Sequence, residues 1–186
     1  QLLRRWMLEL ERRMLRIHQS QAGRNLSVVS AGRFDQQTTT RLHRDGGPEE
    51  SFLMLGYEPT EVDAQLSLAD YTLCAHQLGL TPEEFLRQHN PLTPAGEAKL
   101  EPFVTQVACF APQHYQILLI NNSMAASSEP GGAWQGVLHR AVVRNPSADL
   151  RRVVNSMMVA SAPLGTADEV AESDLESFTD TPVVHR

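Results

Sequence analysis

Residues 40–47 of this 186-residue chain contain the side chains best suited to chemistry. His43 and Asp45 are two positions apart, so in an extended chain they lie on the same face and can bind one ion. Gly46 and Gly47 follow directly and let the backbone turn away. We therefore interpret His43 and Asp45 as two ligands of a metal site.

A third ligand is predicted on a distant strand. His139 lies in the apolar run 136–143, where a buried imidazole without a partner would be costly. Two neutral imidazoles and one carboxylate on one face of an octahedral metal leave three positions open, and non-haem Fe(II) oxygenases use such a triad. His43, Asp45 and His139 together therefore predict a centre of this class.

Two arginines, Arg151 and Arg152, come directly before the apolar run 153–160. A guanidinium that points inwards at the start of a buried strand needs an anion to compensate for its burial. A dicarboxylate bound to the metal would be such an anion. Arg152 shares strand parity with Val154 and Ser156, which favours it as the anion-binding residue, with Arg151 as the alternative.

In order and spacing these residues resemble the Fe(II)- and 2-oxoglutarate-dependent dioxygenases. That family has an HxD pair, a distal His and an Arg further along its double-stranded β-helix. The resemblance covers residues 27–160 apart from a helical insertion, and the run 116–124 is similar to the strand and turn before the family's distal His. The chain departs from the family where many members have a serine two positions after the arginine, because Val154 lies there and Ser156 comes two residues later.

The resemblance implies a reaction and a set of cofactors. Fe(II) would be bound by His43, Asp45 and His139, and the cosubstrate 2-oxoglutarate would chelate the iron while Arg152 binds its far carboxylate. Dioxygen would take the remaining position, and decarboxylation to succinate would be coupled to hydroxylation or a related oxidation. The substrate would be a small molecule or a side chain.

Three further polar residues are candidates for binding the cosubstrate. Ser156 lies on the same strand face as Arg152. Asn121 and Asn122, at the end of an apolar run, either hydrogen-bond the cosubstrate or cap their strand.

The elements that must position these residues are predicted to be mainly β. Strand-length apolar runs separated by turn residues favour a double-stranded β-helix, that is, a cupin-like jelly roll. The runs are 26–34, 39–43, 52–57, 64–68, 104–110, 115–121, 136–143 and 153–160. An amphipathic N-terminal helix over 2–17 precedes them, and a helical insertion over about 68–101 interrupts them.

Thr81, Pro82 and Glu84 in that insertion form a predicted capping box. We expect a single domain over 1–165, followed by an acidic C-terminal tail over 166–186.

Composition restricts the partners. The formal net charge is −6, and six acidic residues between 166 and 180 account for it, so the rest of the chain has sixteen acidic and sixteen basic residues. A neutral body argues against a nucleic-acid partner. No run is long and apolar enough for a membrane helix, which leads us to expect a cytoplasmic protein without a membrane partner. The N-terminal helix is a possible contact between copies in a homo-oligomer.

Two other functions remain open at this point. A cupin-like metalloenzyme could use the same three ligands without 2-oxoglutarate, and it would fit better if Arg151 and Arg152 both faced solvent. A non-catalytic jelly-roll binding module would instead keep His43, Asp45 and His139 apart or occupied by internal hydrogen bonds. The remaining histidines show no ligand spacing and are interpreted as surface or packing residues; they are His18, His76, His89, His114 and His185.

Overall fold

Two antiparallel sheets and five α-helices are formed by the part of the chain that the computed structural model describes, residues 1–124, 136–166, 168 and 170–185. The strands are β1 Asn25–Asp35, β2 Ser51–Tyr57, β3 Ala64–Ala69, β4 Val104–Gln106, β5 Gln116–Asn121, β6 Leu138–Val143 and β7 Val153–Ala162. The larger sheet has the order β1-β7-β2-β5, and the smaller has β4-β3-β6. Two antiparallel sheets with an N-terminal helix are thus confirmed, in a fold that mixes helix and sheet.

Side chains of β7 alternate between the two faces of the larger sheet, and both faces are covered. Val154 and Met158 point towards the smaller sheet, where they pack in one cluster with residues such as Leu66 of β3. Met157 and Val159 point the opposite way and pack against the helices. Because both faces are buried, β7 is apolar along most of its length.

The N-terminal helix α1, Leu2–Ala22, covers the outer face of the larger sheet. It ends at Gly23, which adopts a left-handed conformation with φ 62°. The Met7 side chain of α1 packs directly over Gly56 of β2, where a Cβ atom would lie 2.5 Å from the Met7 sulfur. Trp6 and Ile17 of this helix stay exposed, and its role as an oligomer contact stays a prediction. No helix in the described part of the chain is long and apolar enough to cross a bilayer.

The acidic C-terminal segment contains a further helix, α5, Glu172–Asp180. Its Phe178 is buried and packs in the same cluster as Met7 of α1. Arg4 of α1 donates hydrogen bonds to the carbonyl oxygens of Phe178 and Thr181. These contacts hold the segment against the body of the protein.

The helical insertion consists of α2 Tyr71–Gln77, α3 Pro82–Gln88 and α4 Pro94–Leu100, followed by a 3-10 turn at Glu101–Phe103. The predicted capping box is present: Thr81 accepts a hydrogen bond from the Glu84 amide, and the Glu84 carboxylate accepts one from the Thr81 amide. The insertion begins slightly later than the predicted residue 68, because β3 continues to Ala69.

Two predicted strands differ from the structure. Residues 39–43 lie beside β6 but form a single bridge instead of a regular strand. The run 104–110 is a strand only at Val104–Gln106, and the rest turns away. Both runs were predicted from apolar composition, which does not by itself determine whether a partner strand continues alongside.

Glu11 gives this fold a pH-dependent stability. The residue is buried on the inner side of α1, and burial, with a smaller contribution from Asp168, raises the pKa of its carboxyl to about 7 from an ordinary value of 4.5. A carboxyl whose pKa is raised by folding destabilises the native state once it ionises. Stability should therefore fall as the pH rises from about 4.5 to about 7, and the loss is complete above that range.

Replacing Glu11 with glutamine should remove this penalty. We expect the free energy of unfolding of Glu11→Gln to exceed the wild-type value by roughly 1–3 kcal/mol at pH 8 and to match it at pH 4. Urea unfolding at the two pH values measures both differences. Glu9→Gln, at a partly exposed position of the same helix where the carboxylate pairs with Arg13, should show no comparable gain. An equal gain for Glu11→Gln at pH 4 would show that ionisation is not its cause.

Candidate metal centre

Backbone pairing brings the two predicted histidine ligands together. The His43 amide donates to the His139 carbonyl oxygen at 3.0 Å, and the His139 amide donates to the His43 carbonyl oxygen at 2.9 Å. Nearby, the Thr40 amide donates to the Ala141 carbonyl oxygen at 2.9 Å, and the Thr40 hydroxyl accepts from the Ala141 amide. Directly opposed residues in such a pair project their side chains to the same side. The irregular segment 39–43 therefore still aligns His43 with His139.

The three predicted ligands converge on one point. The ring centres of His43 and His139 are 4.3 Å apart, and Nε2 of His43 is 3.5 Å from Oδ1 of Asp45. One ligand atom from each of the three residues lies within 4.8 Å of the others, and all three side chains are half-buried. Within the described part of the chain this is the one group of three or more such residues close enough to hold an ion.

A hydrogen bond sets the tautomer of His43 for metal binding. Its Nδ1 lies 2.8 Å from the Arg41 carbonyl oxygen, to which it donates, so Nε2 is left facing Asp45. The hydrogen bond with Asp45 raises the pKa of His43, and the same bond lowers the pKa of Asp45. A metal ion would take the place of the proton shared by this pair.

His139 supplies an independent indication of a ligand. Its Nδ1 is buried and has no hydrogen-bond partner. Burial, with a smaller contribution from nearby His43, lowers the pKa of His139 to about 4. The ring is therefore neutral at physiological pH, and neutral imidazole is the form that binds metals. The donor set of two imidazoles and one carboxylate fits Fe(II).

Asn122 fixes the loop that carries Asp45. The side chain of Asn122 is fully buried, and its Nδ2 donates to the Asp45 carbonyl oxygen at 3.1 Å and to the Ser51 hydroxyl at 3.2 Å. Arg44 ties the same loop down, because its Nε donates to the Asn122 carbonyl oxygen at 2.6 Å. The neighbouring candidate Asn121 is exposed and is not brought to the centre; its Oδ1 accepts a hydrogen bond from the Ser123 amide at 3.0 Å.

Asn122→Ala should weaken metal binding although Asn122 is not a ligand. Loss of a residue that orients a ligand typically costs 10–100-fold in metal affinity, and we expect a loss of about 10-fold here. Anaerobic titration with Co(II), followed by absorbance, measures the effect. Asn121→Ala is the matched control and should bind Co(II) like the wild type. Equal affinities for the two variants would contradict the role of Asn122.

A cavity of about 280 Å³ between the two sheets opens beside the centre. His43, Asp45 and His139 lie in its wall, as do Arg152 and Ser156. Its apolar lining includes Leu55, Leu66, Leu118, Ile120, Ala141 and Val154. A mostly apolar wall with a few converging polar groups is typical of small-molecule sites.

Arg152 is a buried cation in this cavity. Its side chain is 2% exposed, and Nη1 donates to the Gln36 carbonyl oxygen at 2.8 Å. The guanidinium carbon lies 5.4 Å from the centre of the Tyr57 ring. Nη2 is buried without a hydrogen-bond partner. Burial lowers the pKa of Arg152, and interaction with the Tyr57 side chain opposes that shift. Arg151, in contrast, is exposed and does not line the cavity.

Other residues of the cavity were not found by sequence reasoning. His185, interpreted as a surface or packing residue, lines the cavity next to Phe34, with which it forms a parallel bridge. Its amide donates to the Arg33 carbonyl oxygen at 2.9 Å. Tyr57 was not among the candidates either, although it shares the cavity with Arg152. His185 has no neighbouring ligand type in the sequence, so no local pattern could have identified it.

Comparison with known proteins gives no family for this chain. No protein-family model matches it, and neither the curated proteins nor the solved structures contain a match. The side chains of the centre and its cavity are therefore the basis for assigning a function.

Proposed function

We propose that this protein is a non-haem Fe(II)- and 2-oxoglutarate-dependent oxygenase built on a double-stranded β-helix. The observation that carries the proposal is the burial of Arg152 beside the metal centre. Its buried guanidinium has an unpartnered Nη2, and it lines the same apolar cavity as three converging metal ligands. A buried cation with a free donor calls for an anion, and a dicarboxylate that chelates the metal with one end could present its other carboxylate there.

His43, Asp45 and His139 would hold Fe(II) and leave three coordination positions for reagents. Bound Fe(II) would supply the oxidising chemistry that couples decarboxylation of 2-oxoglutarate, with dioxygen, to hydroxylation or a related oxidation of the substrate. Arg152 would bind the far carboxylate through Nη2. Ser156 lines the same cavity and offers a hydroxyl donor to the same anion. The apolar walls would keep bulk water from the reacting groups.

The two rival functions account less well for where the two arginines and the three ligand side chains lie. The cupin-like metalloenzyme without 2-oxoglutarate fits best with both arginines in solvent, but only Arg151 is exposed. The non-catalytic module predicts that the three ligand side chains are apart or satisfied internally. His43 and Asp45 do contact each other, but His139 joins them with its Nδ1 unsatisfied.

Anaerobic titration of the protein with Fe(II), followed by 2-oxoglutarate, tests the proposal. We expect stoichiometric Fe(II) binding by calorimetry and then a weak visible charge-transfer band from the chelate. On admission of air, 2-oxoglutarate should be converted to succinate. Metal binding without the band would favour the cupin-like function, and the absence of metal binding would favour the non-catalytic module.

A further inference from the structure

The helical insertion lies behind the segments that carry both histidine ligands. Leu42 and Leu138, the residues directly before His43 and His139, are fully buried and pack in one cluster with residues of the insertion. That cluster includes Phe85 of α3 and Leu100 of α4. The insertion therefore contacts the two ligand segments from the side opposite the metal centre.

A single carboxylate of this insertion joins the same two segments. Oε2 of Glu97, on α4, lies 3.2 Å from Nη1 of Arg41, and Oε1 lies 2.8 Å from Nη1 of Arg140. Arg41 is two residues before His43, and Arg140 directly follows His139. The Glu97 and Arg140 side chains are 29% and 20% exposed, so this ion pair is less screened than a surface pair, whereas the Arg41 side chain is 50% exposed.

This connection adds a side-chain contact to the irregular backbone pairing before His43. Residues 39–43 form one bridge to β6 instead of a regular strand, and some of the β6 amides are satisfied by threonine hydroxyls. Three backbone hydrogen bonds join the segment to β6: one from the Thr40 amide to the Ala141 carbonyl oxygen, and two exchanged by His43 and His139. A side-chain tie across the same junction would restrict the distance between His43 and His139 further.

We infer that Glu97 is a positioning residue of the metal centre: by binding Arg41 and Arg140 together it holds His43 in register with His139. The inference rests on the proposed function for its metal, but the tie itself exists in the metal-free protein. It assigns a role to the helical insertion, namely to fix the geometry of the centre.

Two substitutions separate positioning from a simple effect of charge. Glu97→Gln keeps the length of the side chain and removes its charge. Glu97→Asp keeps the charge but is one methylene too short to reach both guanidinium groups. Glu83→Gln is the matched control, because Glu83 also lies in the first turn of an insertion helix, is exposed, and loses the same charge.

The first readout needs no metal. Hydrogen-exchange NMR on the metal-free protein measures opening of the amides of His43 and His139, which donate to each other's carbonyl oxygens. We expect both amides to exchange at least about 5-fold faster in Glu97→Asp and Glu97→Gln than in the wild type or in Glu83→Gln. If both amides exchange at the wild-type rate in both Glu97 variants, the inference is overturned.

The second readout is Co(II) affinity, with the visible spectrum of bound Co(II) as a measure of ligand geometry. We expect about 10-fold weaker binding and an altered spectrum in both Glu97 variants. Weaker binding in Glu97→Gln alone, with Glu97→Asp like the wild type, would assign the effect to charge and overturn positioning. If the amides respond as expected but wild-type protein binds no Co(II), the tie stands and the proposed function fails.

Discussion

His43→Ala should abolish Fe(II) binding, the largest single effect that the structure predicts. The substitution removes one of three ligands that each contribute one atom to a shared point, and the two that remain leave the ion largely hydrated. Because loss of an orienting residue alone costs 10–100-fold, loss of a ligand should cost more than about 100-fold. Anaerobic calorimetry with Fe(II) measures the change, and Asp45→Ala should behave in the same way.

The matched control for this prediction is His114→Ala. His114 is exposed and does not line the cavity, so its removal subtracts one imidazole without touching the centre. It should bind Fe(II) like the wild type, and His43→Ala should retain the wild-type circular dichroism spectrum. Undiminished Fe(II) affinity in His43→Ala would place the ion elsewhere and contradict the proposed centre.

The triad could be predicted because each part depends on a short-range rule. Alternation of side chains puts His43 and Asp45 on one face whether or not the segment forms a regular strand. Burying an imidazole without a partner costs free energy, so a histidine in an apolar run is expected to have a specific partner, and this identified His139. The parity of β7 likewise distinguished Arg152 from Arg151, and the two side chains do lie on opposite sides, one buried and one exposed.

Residues that depend on long-range placement could not be predicted in this way. Asn121 and Asn122 are adjacent at the end of β5, where a slip of one residue exchanges the exposed side chain for the buried one. His185 lines the cavity because the C-terminal segment pairs with β1, and no local pattern specifies that pairing. Phe178 shows the same limitation: net charge identified its segment as acidic, although an apolar residue anchors it.

Arg152→Ala should spare metal binding and weaken 2-oxoglutarate. Charge-assisted hydrogen bonds contribute about 1.5–3 kcal/mol each, and about 1.4 kcal/mol corresponds to a 10-fold change in affinity. Loss of the guanidinium should therefore raise the dissociation constant of 2-oxoglutarate roughly 100-fold, while Fe(II) affinity stays at the wild-type value. Titration of the Fe(II)-loaded protein with 2-oxoglutarate, followed by the charge-transfer band, measures this directly.

Arg151→Ala is the control that separates a specific contact from a general loss of positive charge. It removes the same charge from the adjacent position, but the Arg151 side chain is exposed, so 2-oxoglutarate affinity should be unchanged. The Arg152 variant also loses the hydrogen bond to the Gln36 carbonyl oxygen and the contact with the Tyr57 ring, so its wild-type Fe(II) affinity serves as the check that it is folded. Unchanged affinity in Arg152→Ala together with a loss in Arg151→Ala would reverse the assignment. Unchanged affinity in both variants would remove the main support for a 2-oxoglutarate site in this cavity.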